Sequence, residues 1–205
     1  MTAAQPLEEP LDQRLVRHAL RILSDEGAEA LTLRRLAREA GVSHAAPLRH
    51  FASLASLRAE VAARGFTLLS AALEDASTEL APGVGALPRL AAAGRAYVRV
   101  AVANPSLFAL MFRPEQLDLT NPHFLRDSVA AFERLVHLVR AAQDAGWRAD
   151  HDTRLLAGSV WSAVHGFASL WAQGALAAAV PNGDFDNALA TTLELVLGTF
   201  RGDAR

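Results

Sequence analysis

Apolar side chains recur at three- and four-residue intervals along this chain, the spacing that gathers them on one face of an α-helix. Leu11, Leu15, Ala19, Ile22 and Leu23 form the first stripe, widened by Val16 and Leu20, while Arg14, Arg17 and Arg21 face outward. The pattern predicts a helix from Leu11 to Glu26, ended by Gly27. Leu33, Leu36, Ala37 and Ala40 repeat it over a shorter span. Thr32 supplies a hydroxyl N-cap for that second helix, and Gly41 stops it by entering the left-handed region without strain. Val42 fills the corner. Ser43 then caps a third, short helix that carries His44, Arg49 and His50. Further helices are expected from Ser53 or Ala55 to Leu80, Leu87 to Ala103, Ser106 to Phe112, Pro122 to Ala145, Asp152 to Ala178 and Asp184 to Phe200. Pro82, Gly83, Gly85, Asn104-Pro105, Gly146 and Pro181-Asn182-Gly183 punctuate them. The fold class is all-α: an N-terminal three-helix helix-turn-helix head, then an antiparallel helical bundle, about nine helices together.

Composition narrows this picture. Hydrophobic residues make up 51% of 205, enough for a sizeable core, and alanine and leucine dominate. With no cysteine, disulfides and thiolate metal sites are excluded. The first ten residues are acidic and hold Pro6 and Pro10, which fits neither a basic leader nor a basic arm. No uninterrupted apolar stretch reaches membrane-spanning length, so the expectation is a soluble cytoplasmic protein without a membrane partner. The net charge of −2 gives no general affinity for nucleic acid. Its distribution does: six arginines face two glutamates between Thr32 and Arg64. The chain has no lysine, so every cationic contact is a guanidinium, whose planar fork suits phosphates and guanine edges.

A tight turn between two helices, with polar side chains early in the second, is the form that enters a DNA major groove. Thr32, Leu36, Ala37, Ala40, Gly41, Val42, Ser43 and Phe51 match the recognition segment of the tetracycline-repressor (TetR) family, which this stretch, residues 32–51, resembles. The family usually carries phosphate-binding tyrosine and lysine where this chain has Leu48 and Leu54. The resemblance implies a DNA-binding domain over residues 9–69 and a ligand-binding and dimerisation domain over 70–205. On the head, Arg34, His44 and Arg49 are the candidates for base edges, Arg34 also for a phosphate. Ala45 and Ala46 permit close approach, and Thr32, Ser43 and His50 are phosphate candidates. Arg58 is the one nearby cation that could replace the missing anchors.

Pro47 and the HAAP-x-RHF phrase are similar to a branch of the family with a Trp…His-Gly (WHG-type) signature in its ligand domain. Here that signature reads Trp161, His165 and Gly166. Trp161 and His165 share a helix face. His165 reads equally as the polar handle of a ligand pocket or as a core histidine bonded to a neighbour, and Gly166 as a point of close helix approach. Tyr97, Phe108, Met111, Phe112, Phe132 and Trp147 complete the candidate pocket, which suits a small apolar or aromatic molecule. Phe185, Leu189, Leu193, Val196 and Phe200 form a stripe that either pairs with a second copy or packs inside one subunit. The resemblance favours a homodimer on a palindromic double-stranded DNA operator. A ligand among the helices of 87–178 would press the 106–112 helix on the long helix before it. The alternative is a helical small-molecule-binding module with weakened operator binding. The histidines at 18, 44, 50, 123, 137, 151 and 165 show no metal-binding spacing, and no nucleophile elbow or phosphate loop appears. Neither an enzyme, a metal nor a cofactor is expected.

Overall fold

In the computed structural model, which describes residues 9–180 and 183–198, the chain forms nine α-helices and no strand among the described residues. They are α1 (Leu11–Glu26), α2 (Leu33–Glu39), α3 (Leu54–Thr78), α4 (Ala86–Ala103), α5 (Pro105–Met111), α6 (Pro122–Asp144), α7 (Thr153–Ala172), α8 (Ala175–Ala179) and α9 (Phe185–Leu197). The acidic residues 1–8, Pro181 and Asn182 of the expected turn, and Phe200 lie outside the described residues. The chain divides into two compact units: the described parts of Met1–Gly65 with Ser106–Leu125, and of Phe66–Pro105 with Arg126–Arg205.

In the first unit, α1 ends where Gly27 turns to φ 84° and its amide donates to the Leu23 carbonyl. Leu15, Leu23, Leu31, Leu36 and Leu57 are wholly buried there. Arg14, expected to face outward, donates Nη2 to the Ala40 carbonyl at 3.4 Å, satisfying an orphan acceptor at the end of α2. Ser106–Leu125 joins this unit along the first half of α3. The Asp118 amide donates to the Ala55 carbonyl at 3.2 Å, and His123 Nδ1 lies 2.8 Å from a Glu60 carboxylate oxygen. A Cβ built on Gly65 would stand 2.5 Å from Met111 Sδ and 2.9 Å from its Cγ. The helix-interior glycine is a notch in α3 that receives α5.

In the second unit, α4, α7 and α9 pack on one another. Leu90, Val139, Ala142, Leu156, Ala157, Val160 and Leu197 form its buried cluster. Gly94 admits Leu193, whose Cδ2 lies 2.7 Å from where a Cβ would be. Buried Gln143 donates to the carbonyls of Arg148 and His151 and accepts from Thr153 Oγ1, so it secures the α6–α7 turn. The long helix expected from Asp152 to Ala178 is broken: Gly174 adopts φ 73° and separates α7 from α8. Gly166 also departs from expectation, because a Cβ there meets nothing within 4 Å. It serves no close approach inside the protomer. By length and composition α7 could cross a membrane, yet a third of that span is buried, and Arg154, Ser159, Ser162 and His165 interrupt it.

Candidate functional site

Thr32 Oγ1 accepts from the Arg35 amide at 3.1 Å and fixes the start of α2. At the other end Gly41 takes φ 66°. Its amide donates to the Arg38 carbonyl, and Val42 donates to the Ala37 carbonyl at 3.0 Å, the pair of bonds of a Schellman turn. The chain leaves α2 in one defined direction. The segment after Val42 is not the α-helix expected from the sequence. His44 to Ala46 form turns, and Pro47–Arg49 is a single 3-10 turn. The cause is Pro47. Its nitrogen has no hydrogen to close the first i→i−4 bond onto Ser43, so the Ala46 amide takes that carbonyl at 3.0 Å instead. Buried Pro47 and Phe51 pin the segment to the head.

That turn leaves Ser43, His44, Ala45, Leu48, Arg49 and His50 exposed, with Ala46 partly covered. Thr32, Arg34, Arg35, Arg38, Val42 and His44 line one open hollow of about 540 Å³. Its arginines differ in availability. Arg35 is spent on Glu26 at 2.6 Å and Glu39 at 3.0 Å. Arg34, Arg38 and Arg49 make no ion pair among the described residues. Arg58, half-buried, donates Nη2 to the Ala28 carbonyl at 3.1 Å. His50 lies apart from His44. It lines a separate polar cleft of about 270 Å³ with Asp12, Glu60, Arg64 and His123.

In the second unit three rings of the expected pocket are joined. The Trp161 indole Nε1 donates to Tyr97 Oη at 3.0 Å, and Tyr97 Oη lies 2.9 Å from His165 Nδ1. Since an indole only donates, Tyr97 accepts from it. The hydroxyl proton then points at Nδ1 in the neutral tautomer that carries hydrogen on Nε2. Burial holds the His165 imidazole below its ordinary value and pushes the Tyr97 phenol up, so both rings stay neutral. Tyr97 is buried, His165 half-buried, and Trp161 36% exposed, so Trp161 is not a core residue. Phe132 lies 5.8 Å from the Trp161 ring. Sequence spacing relates Trp161 to His165, whereas Tyr97, a pocket candidate by residue type, gives no sign of bonding to both, since it comes from a helix more than sixty residues away.

Each of the other pocket candidates lies within its own unit. Phe108 and Met111 are buried in the first unit, with the Phe112 ring 5.1 Å from Phe108. Trp147 donates Nε1 to the Leu197 carbonyl at 2.8 Å and caps the last turn of α9. Of the stripe that could pair with a second copy or pack internally, the described residues are used at least in part inside the protomer. Leu189 and Leu193 are buried inside the protomer, Val196 packs on the core cluster, and Phe185 meets Phe167 and Trp171. An amphipathic helix uses its apolar face first against its own bundle, here α4 and α7. Besides Trp161, the large apolar side chains exposed on α7 and α9 are Leu155 (74%), Leu170 (46%) and Leu195 (62%).

Two family models match the chain. "Tetracyclin repressor-like, C-terminal domain" covers residues 90–196, and "Bacterial regulatory proteins, tetR family" covers residues 15–61. Among solved structures, a protein of unknown function from Rhodococcus sp. RHA1 is 33% identical, with a TM-score of 0.81 over 96% of this chain and 98% of that one. A TetR family transcriptional regulator, PfmR from Thermus thermophilus, is similar in fold at 22% identity and a TM-score of 0.66, over 94% of this chain and 100% of that one. The fatty acid degradation regulator FadR from Bacillus halodurans is similar in fold at 14% identity and a TM-score of 0.69, covering 96% and 99%. No curated protein matches the chain by sequence.

Proposed function

Because this chain belongs to the tetracycline-repressor family of transcriptional regulators, we propose that it represses transcription by binding a palindromic operator as a homodimer, and that a small molecule releases it. The observation that carries the reading is the head surface. Arg34, Arg38 and Arg49, free of acidic partners, and the exposed His44 stand around a turn rigidly set by the Gly41 Schellman bonds. Exposed arginine suits phosphates and guanine O6 and N7. A two-fold pair of such heads would span half-sites about 34–36 Å apart, or a multiple of that.

The same reading assigns the domains: residues 9–69 read DNA, and 70–205 bind the ligand and the second copy. Leu155 and Leu170 on α7 and Leu195 on α9 are the uncovered apolar groups from which a four-helix pairing would be built. The Tyr97–Trp161–His165 relay with Phe132 supports a ligand site of the Trp…His-Gly type, apolar with a neutral hydrogen-bonding handle. A ligand there shifts operator affinity only through different affinities for the bound and released states.

The test is selection of duplexes from a randomised DNA library by the full-length protein, followed by gel shift on the DNA flanking its own gene. Recovery of a two-fold symmetric sequence is the expected result. Failure to enrich any sequence contradicts it.

A further inference from the structure

We propose that Leu48 reads a thymine methyl group in the major groove, as a specificity-determining residue on a surface otherwise made of arginine and histidine. The inference rests on the DNA-binding reading above. Leu48 is 55% exposed, the one exposed large apolar side chain between Thr32 and Phe51. Its direction is fixed from both sides, since Pro47 before it and Phe51 after it are buried. Ala45, three residues earlier in the preceding turn, is exposed as well. Leu48 is flanked in sequence by the exposed Arg49 and His50, and Ala45 by the exposed His44.

A lone exposed leucine is ordinary on a protein surface. This one occupies the segment that a duplex would desolvate. Leucine cannot satisfy a phosphate oxygen. Placed against the acceptor edge of a guanine or adenine, it would strip water and return no hydrogen bond. The thymine C5 methyl is the apolar feature of the major-groove edge, and short or apolar side chains recognise it by contact. Leu48 therefore favours thymine at one position of each half-site, where a tyrosine bound to phosphate would be indifferent to sequence.

The experiment takes the duplex selected by the full-length wild-type protein and replaces each recurrent thymine, one at a time, with deoxyuridine, which lacks only the methyl. Affinities are compared at fixed salt for wild type, Leu48→Ala and Leu48→Met. At one thymine per half-site the wild type should lose about fourfold on methyl removal, the factor equivalent to about 0.8 kcal/mol for a buried methyl-sized group. Leu48→Ala should bind thymine and uracil there equally, and Leu48→Met should keep the discrimination. If Leu48→Ala retains the wild-type thymine-to-uracil ratio at every position, the inference fails while the DNA-binding reading stands. If no duplex is selected at all, both fall.

Discussion

At the scale of single residues, His165 combines a partner with a titration. Burial lowers its proton affinity below the ordinary 6.5, and Tyr97 holds the neutral ring. The unfolded chain takes up a proton near 6.5 and the folded chain only at lower pH. Stability is therefore complete above that range, declines as pH falls through it, and levels off below the folded pKa. Denaturant titrations between about pH 8 and 5 should show this decline. His165→Gln should flatten it in part. His18, held low by burial and then by Arg21, supplies a second contribution of the same sign. A decline identical in wild type and His165→Gln would count against the buried-neutral assignment. Leu54 gives a second residue-scale test. It opens α3, half-buried, where the family usually has a phosphate-binding lysine. Leu54→Lys should raise operator affinity and steepen the salt dependence by about one unit. An unchanged slope would show that this position does not face the backbone.

At the scale of elements, glycines decide which helices touch. In α3 the positions Leu57, Val61, Gly65 and Leu69 fall four apart on one face, all buried. A glycine in that register signals a neighbour too close for a side chain, and the neighbour is Met111 of α5. Gly65→Ala would gain about 1 kcal/mol of helix propensity but costs about 1–3 kcal/mol in overpacking against Met111. A net loss of about 1 kcal/mol is expected in urea denaturation. The double variant with Met111→Ala should be less destabilised than the sum of the single ones; strict additivity would mean no notch. Much of the element plan was readable from spacing alone. α1 begins and ends where its stripe and Gly27 require, and α4, α5 and α6 fall within a residue or so of expectation. The failures have specific causes. Pro47 forbids the α-helix that its neighbours favour, and Gly174 breaks a run whose alanines suggest continuity. An apolar stripe does not say whether its partner is the same chain or another, so Leu189 and Leu193 were readable as apolar but not as internal. Of the site, the exposed head residues follow from sequence. The Tyr97 relay does not, because it depends on the packing of α4 against α7.

At the scale of the whole molecule, the proposed function rests on charge and symmetry. The net charge of −2 conceals a head whose unpaired cations gather near one turn, and binding energy to a duplex comes from displaced counterions at such places. The proposed pairing of two copies would double that surface. Light scattering should give about twice the 21.9 kDa of one chain, and Leu155→Glu combined with Leu195→Glu should return the monomer mass without unfolding it. A variant that stays dimeric would place the interface on another face. The most direct measurement is a fluorescence-anisotropy titration of the selected duplex at several salt concentrations with wild type, Arg34→Ala and Arg49→Ala. The account predicts tight, steeply salt-dependent wild-type binding, with Arg49→Ala weaker by about 1–3 kcal/mol if it forks onto a guanine and less selective at that base. Arg34→Ala should lose about one unit of slope per phosphate contact removed. Wild-type affinity and slope in both variants would contradict it.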